Sequence, residues 1–564
     1  MPRPTVFLLA CALALLLPGR VPAQDSTGSP PAPSDPVGVE LARLIVQGEH
    51  PTMRWRRFPD ARADMARFYG ARGWRTRWLE AGVLNPGGAT LLARFAAAES
   101  LGLEPEDYDA GRLARTAASY ASGRRPDAAE TARFDLALSI DAWRFVSALR
   151  YGRVSPQAAH GTLELPRELY DLAAAVDSLA DPARAGGVLM RAQPPFRHYR
   201  LLLDALAFYR RIALDSSLVL PPPTDETLKP GATYVGAARL RTLLTALGDL
   251  PDSLQPAPPP GPAADTTYAP ELVEAVRNFQ RRQNLKADGA IGRQTRARIE
   301  QPFPGRLLQI RLALERWRWL PHAFRSPPIF VNLPAFRLEA FRTPDDDEAQ
   351  MMAMDVVVGT AYSHDTPVFT ANLRYLVFRP YWEVPTSIMR AEIRPAARRD
   401  SSYLAREQFD LMRGDELVPV TRENIDAIGG AVRVRQRPGP ANALGSVKFM
   451  LPNPYNIYLH DTPAKGRFAV VRRDFSHGCI RLSQPESLAV FVLRDQPTWT
   501  PALIESAKAG AEPKQVYLKR PIPTYLIYAT AVARQDGRTY FYDDLYGHDA
   551  TLDGLLQRGY PYPE

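Results

Sequence analysis

The sequence predicts a multidomain α+β protein: a helical N-terminal scaffold, a small helical module, and a mainly β C-terminal domain. Three observations carry this. Through the first two hundred or so residues apolar side chains recur at three- and four-residue spacing, which is the helical period. A proline-rich break at Pro221-Pro222-Pro223 is then followed by a second, shorter helical pattern. From about residue 305 the texture changes to β-branched and aromatic runs between turn residues. With 564 residues and 45% apolar content, the chain has material for several cores.

The elements follow in order. Arg3, the apolar run Val6 to Leu17 and Val21-Pro22-Ala23 read as a signal peptide over residues 1–23, so export to the periplasm is expected. An uncleaved inner-membrane anchor is the alternative, although the run is short of the roughly 20 residues of a span. Residues 24–38, rich in Ser, Pro and Asp, read as a flexible linker. Residues 39–220 form the scaffold, as in the helical pattern from Thr131 to Trp143, and Tyr69, Trp74 and Trp78 read as its core. Residues 232–300 hold a helix from Val235 to Leu250, a Pro-rich insertion through Pro262, a helix face of Val273, Val276 and Phe279, a turn at Asp288-Gly289 and a further helix near Thr295. Residues 305–545 form the β domain, with strands at 329–333, 355–359 and 373–378, interrupted from about 386 to 437 by a helical, charged stretch.

Chemistry concentrates between residues 456 and 481. Of two cysteines, Cys11 falls in the leader, so Cys479 is the lone thiol of the mature chain and has no partner for an internal disulfide. His460 precedes it on a short strand whose alternation places Asn456, Tyr458 and His460 on one face. A thiol with a histidine base is the composition of a cysteine nucleophile, because the thiolate is the reactive species. Ser483, Pro485 and Glu486 read as a capping box opening a helix, which would set a positive helix end near the thiol.

The module's Ala275-Val276, Phe279-Gln280 and Asp288-Gly289-Ala290-Ile291-Gly292 pattern resembles the three-helix peptidoglycan-binding domain. His460 with Ser476-His477-Gly478-Cys479 resembles the signature of the YkuD-type L,D-transpeptidase catalytic domain. Glu315 to Pro321, Tyr381 to Ile388, and Pro438 to Gly445 leading into Phe449 to Asn453 extend the likeness to the large YcbB-like Gram-negative form. Arg481 stands where shorter members usually carry asparagine.

The resemblance implies a peptidoglycan L,D-transpeptidase making 3-3 cross-links between diaminopimelate residues, with residues 386–437 as a capping subdomain. Cys479 would be the nucleophile and His460 its base, with the Asp461 carbonyl fixing the imidazole and N–H groups around Gly478 and Cys479 holding the oxyanion. His477 would either line that pocket or buttress its loop. Arg481 would bind a stem carboxylate or brace a loop, and Trp382, Tyr458 and Ser476 would complete the substrate site, Trp382 being open to a plain core role. The implied partners are donor and acceptor stem peptides, carbapenems as inhibitors, and wall-synthesis proteins. L,D-carboxypeptidase action and anchoring of proteins to peptidoglycan use the same thioester chemistry and stay open.

Other classes fit less well. A papain-like endopeptidase places its cysteine before its histidine, the reverse of the order here. His460, His477 and Cys479 have zinc-ligand types but lack a completing pair, so no metal and no cofactor is expected. The net charge of +9 suits an anionic polymer, but export argues against nucleic acid. A purely wall-binding protein would not need Cys479.

Overall fold

The computed structural model describes residues 33–562 apart from 225, 251–265, 302, 325 and 344–349. The signal peptide, most of the linker and the Pro-rich insertion of the module lie outside the described residues. No described helix is long and apolar enough to cross a membrane.

The scaffold is helical and is organised around Ala128–Tyr151, a 24-residue helix opened by a reciprocal capping box between Asp127 and Glu130. Its centre is buried on nearly every side. The buried Asp135 is tolerated because the N–H groups of Arg77 and Trp78 and the Tyr69 hydroxyl all donate to it. Tyr69 and Trp78 are fully buried and Trp74 packs against the same core, so these aromatics serve structure. Within the scaffold, β1 (Leu79–Glu80) and β2 (Val83–Leu84) make a short hairpin.

The module 232–300 packs its helices Ala237–Ala246, Pro270–Arg282 and Arg293–Glu300 into one core with the helix Arg197–Ala213. The first is shorter than the pattern suggested, because Gly248 at φ 74 ends it in a left-handed turn. The Gln280 side chain explains the sequence motif: it accepts from the Gly289 N–H and donates to Ala290 O and Thr295 Oγ1, locking turn to helix. The module is not a free appendage. Buried Arg282 pairs with Asp249 and donates to the Thr539 carbonyl of the C-terminal part.

The C-terminal domain contains β3 (Ile329–Asn332), β4 (Arg337–Ala340), β5 (Met352–Gly359), β6 (Thr370–Phe378), β7 (Trp382–Glu383), β8 (Phe409–Arg413), β9 (Glu416–Val418), β10 (Arg433–Gln436), β11 (Val447–Met450), β12 (Leu459–His460), β13 (Asp474–Ser476), β14 (Ile480–Leu482) and β15 (Lys514–Ile527). β16 (Ala531–Ala533) and β17 (Thr539–Phe541) form a final hairpin. The large sheet runs β13-β5-β14-β12-β11-β6-β15-β3-β4, and a β4–β5 pairing closes it on itself. Phe449, Leu459, Ile480 and Leu376 fill its interior. The alternate residues therefore point outwards.

The interrupting stretch is not simply helical. Its short helices sit with a four-stranded sheet of order β7-β10-β8-β9, and Val384 to Val434 form a separate hydrophobic cluster. Sequence reading missed β8 to β10 because charged residues fill their exposed faces, leaving runs such as Arg433-Val434-Arg435-Gln436 with little apolar signal. Beyond residue 545 the helix His548–Leu556 leads back to the scaffold, where the Tyr562 hydroxyl donates to Asp107 at 2.6 Å.

Candidate active site

The strand β12 pairs in parallel with β14, Leu459 opposite Ile480 and His460 opposite Arg481. Because side chains alternate, Tyr458 and His460 share the outer face with Cys479 and Arg481, while Leu459 and Ile480 bury inwards. Antiparallel β11 sets Lys448 opposite His460 on its other side. Tyr458, His460, Cys479, Arg481 and Lys448 thus line one patch of barrel exterior.

The loop carrying Cys479 is held by its own polar groups. Ser476 is buried; its hydroxyl donates to the Cys479 carbonyl at 2.6 Å and accepts from the Gly478 N–H at 3.1 Å. Thr366 Oγ1 donates to Gly478 O at 2.7 Å and accepts from the Gly359 N–H. Gly478 has φ 107, and a Cβ there would meet Ile457 at 3.1 Å, so only glycine fits without strain. Ser476 therefore faces inwards, away from the position expected of a substrate ligand. Gly478 spends its N–H on Ser476, which leaves the Cys479 N–H as the candidate oxyanion donor of the pair.

His460 is buried, and its Nδ1 lies 2.5 Å from the Asp461 carbonyl. A carbonyl only accepts, so Nδ1 carries the proton and Nε2 is left as the base. The Asp461 carboxylate accepts from Ser446 N and Oγ, Thr462 N and Lys465. Burial would raise its carboxyl, but these bonds outweigh burial and hold it below the usual range. Gly445, at φ 60, leaves the space this carboxylate occupies. Asn442, three residues earlier, donates to the Pro380 and Arg437 carbonyls and so ties the base of the β7–β10 unit to the barrel. Asn453 likewise braces the approach to Ile457, its amide donating at 2.7 Å to Ile457 O.

Electrostatically, the resting pair is neutral. Burial pushes His460 down to about 3, helped by the Arg481 and Lys448 charges and opposed by Asp461. Burial pushes the Cys479 thiol up, against hydrogen bonds from Tyr458 and the Arg481 charge. The anticipated Ser483 capping box does not form: the helix Pro485–Val492 begins beyond β14, with Gln484 as N-cap and no capping bond. Pro485 fixes the first turn one residue later than the capping-box reading required, and Glu486 pairs with Lys508 instead. Nor does Asn456 continue the strand. Its φ of 56 breaks the alternation, and its carbonyl lies 3.6 Å from Cys479 Sγ.

The β7–β10 unit covers this patch. The Trp382 ring packs in the unit's cluster, and its indole lies near enough to the buried Tyr458 hydroxyl to oppose the upward push of burial. His477 is partly exposed, and its Nε2 lies 2.8 Å from Glu392 of the unit, with the His364 ring 4.6 Å from its own. His477 therefore bridges loop and cap. Lys448 and Glu392 were missed by sequence reading; alternation along β11 could have found the first. Among the described residues no group of three or more His, Cys, Asp or Glu stands together as a metal site. A cavity of about 710 Å³ lies at the scaffold junction around Arg153, Trp319 and Tyr560 and touches none of the Cys479 face.

Comparison with known proteins fits this architecture. Residues 63–206 match a scaffold domain, 237–299 a peptidoglycan binding domain and 327–504 the L,D-transpeptidase catalytic domain. A Haemophilus influenzae protein named "Putative L,D-transpeptidase" is 31% identical over 229 residues, covering 40% of this chain and 45% of that protein. The chain is thus matched over less than half the length of that relative. The chain thus carries a match to the YkuD L,D-transpeptidase catalytic domain, alongside matches to a scaffold domain and a peptidoglycan binding domain.

Proposed function

We propose that this protein is an envelope L,D-transpeptidase that joins peptidoglycan stems through a Cys479 thioester, forming 3-3 cross-links. The observation that carries the reading is the shared face of β12 and β14, where a loop-held cysteine sits beside a histidine whose tautomer is fixed. In this reading Nε2 of His460 takes the thiol proton as sulfur attacks the carbonyl carbon of the L-centre in a tetrapeptide stem. The Cys479 N–H meets the developing oxyanion. The C–N bond breaks, the imidazolium proton passes to the departing D-alanine amine, and the stem remains as a thioester. An acceptor amine then attacks that thioester, losing a proton to Nε2, and the thiolate leaves and is reprotonated.

Because thiol and imidazole are both neutral at rest, proton transfer accompanies attack rather than preceding it. The cap joined through Trp382 and Glu392 would exclude water, favouring the amine over hydrolysis. An exported, periplasmic location follows from the wall substrate and the N-terminal sequence. Carbapenems are expected to acylate the same sulfur.

The test incubates the protein with tetrapeptide-containing wall fragments and follows protein and products by mass spectrometry. A thioester adduct and cross-linked dimers are expected from the wild type. Cys479→Ala should remain folded and yield neither; turnover by that variant would overturn the assignment. Tripeptides without dimers would point to an L,D-carboxypeptidase instead.

A further inference from the structure

Lys448 extends the outer patch by one strand. On β11 it stands directly opposite His460, as Arg481 does on β14, so the histidine lies between two cations. Each is partly buried, and among the described residues neither has a carboxylate within ion-pair distance. The Arg481 Nε is buried without a hydrogen-bond partner. The Lys448 ammonium instead lies 5.9 Å from the centre of the Tyr458 ring. The nearby Glu383 is turned to Arg433 at 3.4 Å.

Elsewhere buried arginines meet carboxylates, as at Arg144–Asp60, Arg282–Asp249 and Arg316–Asp549. Burying part of an ammonium without an anion is unfavourable unless an anion arrives. Two unpaired cations straddling the base fit a ligand with two carboxylates. Peptide stems containing diaminopimelate supply them: one on the terminal residue, another on the diaminopimelate side chain.

We propose that Lys448 binds a stem-peptide carboxylate, forming with Arg481 a two-point anion site astride His460. This rests on the transpeptidase reading. Neighbouring strands lie about 4.8 Å apart, so the two cations stand roughly 10 Å apart at their Cα positions and reach different carboxylates of one stem. Lysine suits the outer position, since its long flexible arm carries a point charge that follows a ligand without the fixed fork of arginine. Burial also lowers the Lys448 ammonium, a cost that a bound anion would offset. Lys448 is thus a specificity-determining residue placed beside the base.

The test compares wild type, Lys448→Met and Lys448→Arg on tetrapeptide stems that are unmodified, amidated at the terminal carboxylate, or amidated at the diaminopimelate carboxylate. The two amides identify which carboxylate is held. For wild type, amidating the recognised carboxylate should lower kcat/KM by about 10- to 100-fold, mostly through KM. Lys448→Met should lose the same factor on the unmodified stem and show no further loss on that amide, and Lys448→Arg should regain part of the discrimination. Equal penalties for each amide in wild type and Lys448→Met overturn the proposal, as does an unchanged KM in Lys448→Met. Labelling of Cys479 by iodoacetamide runs alongside. Labelling with no turnover of any stem by the wild type would refute the transpeptidase reading itself, whereas full wild-type turnover with additive penalties refutes only the role of Lys448.

Discussion

Ser476→Ala separates a loop-holding serine from a substrate-binding one. The hydroxyl makes two bonds inside the nucleophile loop, to Cys479 O at 2.6 Å and from Gly478 N at 3.1 Å, and the residue is 3% exposed. Alanine removes both partners and leaves a carbonyl and an N–H unsatisfied, at about 1–3 kcal/mol each. The total is then roughly 2–6 kcal/mol, and for a domain of this size each kcal/mol lowers the unfolding midpoint by about 2–4 °C. Differential scanning calorimetry should therefore show the catalytic-domain transition falling by at least about 4 °C. Cys479 also loses its positioning, and a displacement on the order of 1 Å slows acylation about 100-fold. Carbapenem acylation followed by mass spectrometry reads that rate without needing the stem peptide. An unchanged midpoint with a raised KM for stem peptides would refute this reasoning and return Ser476 to the substrate site.

Two further outcomes are expected. His160→Phe should stabilise the protein by about 1–3 kcal/mol at pH 7, because both ring nitrogens are buried without partners beside Trp319 and His548. Burial lowers His160 to about 2, far below its unfolded value near 6.5, so the unfolded state alone takes the proton in that window and stability falls with pH by about 1.4 kcal/mol per unit; denaturant midpoints at pH 7 and pH 5 should show the variant's advantage growing towards acid. Glu392→Gln, which weakens the 2.8 Å contact with His477, should leave Cys479 acylation within a few-fold of wild type while shifting products several-fold from dimers to tripeptides, and an unchanged ratio would refute the capping role.

How much of this was legible in the sequence follows from the range of each interaction. Helical period located the scaffold helix Ala128–Tyr151, and β-branched runs located β3, β5 and β6, because those patterns record burial along one element. Alternation placed Tyr458 and His460 on one face. It failed at Asn456, where a left-handed backbone breaks the period, and Asn is among the residues that tolerate that conformation. Motif position alone did not say which way the Ser476 hydroxyl turns. That hydroxyl turns to Cys479 O and Gly478 N of its own loop, and the further brace on that loop, from Thr366 to Gly478 O, comes from more than a hundred residues away. The closure of β4 on β5 and the return of Tyr562 to Asp107 are likewise tertiary events without local signal.

The module illustrates the same limit and changes how wall binding should be tested. Its Gln280 motif is wholly local and could be read directly, yet its attachment runs through the buried pair Arg282–Asp249 and the Arg282 bond to Thr539 O. Removing residues 232–300 would strip apolar partners from Tyr209 and Phe541 and leave the Thr539 carbonyl without its donor. Loss of activity after such a deletion would then report damage to the catalytic body, not lost affinity for the wall. Substitutions on the module's exposed face avoid that confusion, because the Arg277 and Arg281 guanidinium groups hydrogen-bond to Glu274 and Asn278 of their own helix. Exchanging their charges alters what the module presents to an anionic polymer and leaves its core intact. A selective loss on intact sacculi, with soluble fragments turned over normally, would assign the module to wall binding, whereas equal activity on both would leave it a structural spacer between scaffold and barrel.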